Sequence, residues 1–140
     1  MMANEEQKRS LNHIHPVQEL EWEPWELYFR GVPACEGKYG GWVKVLHRPN
    51  EYERGWTFLF KWVGWPGKTL RLIAIVPDDS NEQVYYFSEQ KSATDAIENA
   101  TYVYRAPGAK HSGTFGDDFL CVLSFAGETD VGLSYEFLDR

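Results

Sequence analysis

Cysteine is scarce in this chain, with two among 140 residues. Cys35 and Cys121 fit neither a metal-binding nor a redox spacing, so cysteine-based metal or thiol chemistry is excluded and a reduced, cytoplasmic setting is expected. Long apolar runs are missing too. No window approaches the ~18–20 uninterrupted apolar residues of a membrane span, and the opening MMANEEQKRS lacks the apolar stretch of a secretory signal; no membrane partner is expected. Basic charge is in deficit, with 14 Lys and Arg against 21 Asp and Glu and a net charge of −7. Such a field repels phosphate backbones and anionic lipid, which excludes nucleic acid as a partner.

What the chain does have is rings. Aromatic residues make up 16% of it, including 6 Trp and 8 Tyr, more than a soluble domain of this length usually carries. Some of these rings are expected to line a cavity or an interface. Beyond a polar tail over residues 1–11, one domain is expected over 12–140. It reads as short runs rich in β-branched and aromatic residues: 42–48, 56–63, 70–76, 83–89, 100–106, 119–127 and 132–138. Turn formers such as Gly-Trp-Pro-Gly and Pro-Asp-Asp-Ser-Asn separate them. This spacing predicts an all-β fold, an antiparallel sandwich or jelly-roll barrel. Only SATDAIENA (92–100) has a helical pattern.

Several motifs that suggest chemistry do not support it. PDDSNE and GDD lack the alternating oxygen ligands and glycine of a calcium loop, and GWPGKT (64–69) lacks the spacing of a phosphate loop. His47 ends a strand beside Arg48 and a turn, where a hydrogen-bonded or exposed histidine is expected. His13 and His15 would project to one face of an extended segment, but they precede the core strands and supply too few donors for a metal.

His111, in YRAPGAKHSG (104–113), is different. Residues 107–111, PGAKH, keep a Gly-x-x-His spacing through Gly108 and His111, and ELEWEPW (19–25) and GGWVKVLHRP (40–49) flank the strand region upstream. On these stretches the chain from about Glu19 to Phe125 resembles the cupins, more particularly the small single-domain ChrR-like ones. The second cupin motif is kept only in part, with its proline one place off and Phe115 where Asn is expected. In the first motif Glu82 stands for the glutamate. Ile75 and Pro77, or in the alternative spacing Val76 and Asp78, occupy the two histidine places.

The resemblance implies a barrel interior in which Glu82 and His111 meet. Two donors hold a transition metal poorly, so no cofactor is expected; the alternative is a divalent transition metal on Asp78, Glu82 and His111. Strand alternation places Val84, Tyr86 and Ser88 on the face of Glu82, and Tyr102 and Tyr104 together on one face of their own strand. These residues suit a pocket for a flat, partly oxygenated small molecule. Glu82 and His111, with Tyr86, could act there as a general acid/base pair in an isomerase, cyclase or lyase reaction, since burial and a neighbouring carboxylate bring both pKa values toward neutrality. A metal-dependent dioxygenase or hydrolase and a non-catalytic sensor are the other two readings. Tryptophans 22, 25, 62 and 65 flank turns and are candidates for burial against a second subunit, and the resemblance implies a homodimer.

Overall fold

The computed structural model describes residues 14–87 and 98–140. Ser88, His13 and most of the stretch predicted as helix (92–100) lie outside them. Among the described residues, nine antiparallel strands form two sheets: β1 Glu23–Pro24, β2 Gly40–His47, β3 Trp56–Val63, β4 Lys68–Ile75, β5 Glu82–Phe87, β6 Thr101–Arg105, β7 Lys110–Phe115, β8 Phe119–Phe125 and β9 Val131–Asp139. The larger sheet runs β1-β2-β3-β8-β5-β6 and the smaller β7-β4-β9. The all-β sandwich expectation therefore holds. The sheets stay separate, with no ladder joining their edges among the described residues, so the fold is a sandwich and not a closed barrel.

Two strands are missing from the sequence reading, the two-residue β1 and the six-residue β7, and it is β7 that matters for the site. Its residues KHSGTF have little β propensity, so local preference does not mark it. It forms because β4 pairs with it from Leu70 opposite Phe115 to Ile75 opposite Lys110. His111 consequently stands inside a strand, opposite Ala74, and not at the end of a turn.

Period-2 alternation sorts the core. Phe58, Phe60 and Trp62 on β3, Leu70, Leu72 and Ala74 on β4, and Cys121, Leu123 and Phe125 on β8 all face the interior. Two of the tryptophans expected at a subunit contact belong to this core. Trp62 and Trp25 are 1% and 3% exposed, and Trp25 donates its indole N–H to the Pro33 carbonyl at 2.7 Å while packing edge-on against Trp62. Satisfying that donor inside the protein is what permits complete burial of the ring. Trp22 stays nearer the surface, with the Lys61 ammonium 4.1 Å above its ring.

The stretch before β9 is tied in from two sides. Ser80 donates to the Glu128 carbonyl at 2.8 Å and accepts from the Gly127 amide at 3.0 Å, and Thr129 donates to the Tyr28 carbonyl at 2.7 Å. Just beyond, Gly132 donates its amide to the Arg30 carbonyl at 2.7 Å, and the two backbones pass so closely at Gly31 and Gly132 that neither position has space for a Cβ. Asp130 is fixed between these anchors.

Candidate active site

Inside the sandwich, small residues leave room. Ala74, Gly113 and Gly132 present little or no side chain from the smaller sheet and its flank, and a cavity of about 70 Å³ opens between them and the larger sheet. That is enough for roughly three heavy atoms, since a cavity that admits benzene, with its six, measures ~150 Å³. Its walls are mostly apolar rings, and its polar groups are Glu82, Arg105, His111, Asp130 and Tyr86.

Each polar group arrives by strand register. Glu82, Val84 and Tyr86 alternate inward along β5, as the sequence pattern requires. On β6, Arg105 lies directly opposite Glu82 and forms an ion pair with its Oε1. From the smaller sheet, His111 brings Nε2 to 2.9 Å from Asp130 Oδ2 and 3.9 Å from Glu82 Oε1. One ligand-type atom from each of Glu82, His111 and Asp130 lies within 4.8 Å of the other two. The expectation that 82 and 111 converge inside the fold is met in this geometry.

Glu82 is 3% exposed. Burial, reinforced by the Asp130 carboxylate, pushes its pKa up to about 8 against the opposing pull of Arg105. Near neutral pH Glu82 thus retains a proton, and in that form it is a hydrogen-bond donor facing Asp130. Burial also raises Tyr86, with Arg105 acting in the other direction, so its phenol stays protonated. The Cys121 thiol, opposite Tyr86 on β8, is pushed up by burial and then by Glu82, which keeps it protonated and unreactive as a nucleophile. Asp130 Oδ1 is buried without a hydrogen-bond donor of its own. The proton on Glu82, or a donor or cation entering the cavity, is what such an oxygen calls for.

Several expected residues stand elsewhere. Asp78 is exposed and its carboxylate lies against the turn at Gly108, so the third acidic donor is Asp130. Tyr102 and Tyr104 share a face, but it is the outer one: they are 48% and 53% exposed. Tyr102 is opposite Tyr85 and Tyr104 opposite Gln83, and directly paired residues share a face; once Glu82 and Tyr86 point inward, those tyrosines must point out. Tyr102 donates instead to Gln83 Oε1 at 2.9 Å. Val84 is fully buried, in the core beside the cavity and not in its wall. His15 is exposed near the start of the described chain, and His47 is 3.4 Å from Glu53; neither approaches the cavity cluster. Replacing Tyr104 by Ser should therefore leave ligand occupancy of the cavity unchanged and stability within ~0.5 kcal/mol, measured by urea unfolding.

Arg105 and Asp130 were not evident beforehand. A usable signal existed for Arg105, which occupies the parity of β6 opposite to the two tyrosines. For Asp130 there was none, since an acid in GETDVG reads as a solvated turn.

Together these features define a class: an antiparallel β-sandwich with a small, partly open cavity and a largely buried Glu–His–Asp–Arg cluster at its polar end. Compared with known proteins, no family model matches the chain, nor does any curated protein or solved structure. No helix among the described residues is long and apolar enough to cross a membrane.

Proposed function

We propose that this protein is a cupin-like binder of a compact organic molecule, on which the buried cluster performs acid/base chemistry of the isomerase, cyclase or lyase kind without a resident metal. The observation that carries this reading is the convergence of Glu82, His111 and Asp130 at one end of an apolar cavity. Glu82, protonated near neutral pH, is suited to act as the acid. His111, oriented by Asp130 at 2.9 Å, is suited to act as the base, because a carboxylate on one side of an imidazole stabilises the imidazolium that forms when it takes a proton. Tyr86, also on the cavity wall, is a further donor. Of the flat, partly oxygenated ligands first expected, a ring-sized one loses its support, because two of its three tyrosines are outside and the cavity is smaller than one that takes benzene.

The test is an NMR titration with a panel of small alcohols, amines, ketones and acids, followed by solvent-deuterium incorporation into those that bind. The expected result is shifts confined to the amides of Ala74, His111, Gly113 and Cys121, and deuterium incorporation that His111→Ala and Glu82→Gln both abolish. Binding everywhere but the cavity would sink the proposal. Binding there with no proton exchange would leave a non-catalytic sensor.

The three converging donors favour a second reading. Glu82, His111 and Asp130 could hold a divalent cation, which would supply Lewis-acid chemistry, and the unpartnered Asp130 Oδ1 fits that role. Against it, Arg105 already occupies Glu82, and the metal must displace both the proton on Glu82 and the proton that joins His111 to Asp130. Elemental analysis of protein purified without added metal decides between them: a stoichiometric transition metal would establish the second reading.

The homodimer belongs to the same proposal. β9 is an edge strand on which Leu133 and Tyr135 are half exposed, and edge-to-edge pairing of two copies would cover it. Sedimentation velocity showing a monomer at every concentration would rule it out.

A further inference from the structure

We infer that the ligand of this cavity is a small organic ammonium ion, bound with its N–H groups on the Asp130 and Glu82 carboxylates and its alkyl body against the surrounding rings. This rests on the cavity being the ligand site, as proposed above, and adds the chemical class.

The first support is charge. The cluster contains two carboxyl groups, Glu82 and Asp130, and one guanidinium, Arg105, which is committed to Glu82. With both acids ionised and a neutral imidazole, it is one positive charge short of balance. In the protein without ligand the proton on Glu82 supplies that charge, and a bound cation supplies it instead by taking that proton's place, because an uncompensated buried carboxylate is far more costly than a paired one.

The second is hydrogen bonding. Asp130, 8% exposed, has one oxygen joined to His111 and the other, Oδ1, buried with no donor but the proton that Glu82 can offer. An ammonium carries several N–H donors, so it can satisfy Oδ1 and still reach Glu82. A hydroxyl carries one donor and no charge, and a carboxylate ligand would set like charges together.

The third is the wall. Trp25, Phe60, Phe115 and Phe119 all line the cavity, with Phe115 and Phe119 stacked at 5.6 Å. Ring faces of this kind bury an alkyl group favourably. Rings at one side and carboxylates at the other match an alkylammonium end for end, and the volume restricts it to one or two carbons.

The experiment compares two probes of the same shape, ethylammonium and ethanol, titrated into the intact protein near neutral pH with a chelator present and followed by NMR. Ethylammonium is expected to bind at least tenfold more tightly, with shifts at His111, Gly113 and Cys121. Asp130→Asn, which keeps the shape and removes one negative charge, is expected to cut ethylammonium affinity at least tenfold and leave ethanol affinity within twofold. Glu82→Gln is expected to do the same, and serves if the first variant fails to fold. Equal affinities, or tighter binding of the alcohol, would overturn the ammonium assignment while preserving the cavity as a ligand site. If neither probe perturbs the cavity residues, both proposals fall.

Discussion

Stability to urea is expected to fall as pH rises from about 5 to about 8, the reverse of the usual behaviour of a protein's carboxylates. Glu82 has an ordinary carboxyl pKa near 4.5 when unfolded, raised in the folded protein to about 8. Between those values the folded state holds a proton that the unfolded state has released. Stability therefore decreases with pH there: the contribution is complete below the unfolded pKa and is lost as pH passes the folded one. Each unit of pKa difference corresponds to ~1.4 kcal/mol, so the loss across the window is on the order of a few kcal/mol. Glu82→Gln cannot titrate, and its denaturation midpoint should vary much less over the same range. An unchanged slope in that variant would show that the carboxyl is not held protonated by the fold, and would remove the acid from the proposed chemistry.

The second large effect is expected from a backbone crossing and not from a change of charge. In Gly132→Ala the new Cβ would lie 2.2 Å from the Gly31 carbonyl oxygen and 2.6 Å from its carbon. Both are backbone atoms, so no side-chain rotation relieves the overlap, and either β9 or the turn at Gly31 must move. A cost of roughly 3 kcal/mol or more is expected, at the upper end for overpacking. Because Asp130 is two residues away, the same shift should loosen its contact with His111. Urea unfolding and the NMR titration of the His111 ring read the two consequences separately. A variant as stable as the parent, with an unaltered imidazole titration, would mean that the crossing does not position the site.

These predictions mark where local pattern ends. Alternation along residues 82–86 was sufficient to place Glu82, Val84 and Tyr86 on one face, because side chains of an extended chain have a period of two whatever lies around them. The runs at 56–63, 70–76 and 119–127 were legible as strands for the same reason: β-branched and aromatic residues fit a pleated surface. The convergence of Glu82 and His111 came from the family resemblance, since residues on different strands have no relation that spacing alone can express.

Period two also shows why the tyrosines were misplaced. It requires Tyr102 and Tyr104 to share a face but says nothing of which one; that depends on pairing with β5, where Tyr85 already points outward. The same pairing turns Arg105 inward onto Glu82.

The amino-acid sequence by itself determined that this chain builds antiparallel β-structure and that Glu82 and Tyr86 point the same way, because those properties follow from neighbouring residues. Only the tertiary structure decided that KHSGTF is a strand, that Asp130 completes the cluster in place of Asp78, and that the rings of Trp25 and Phe115 enclose it. Those depend on register and on the approach of segments far apart along the chain, such as the crossing of Gly31 and Gly132, and the free energy of such contacts belongs to the pair and not to either segment.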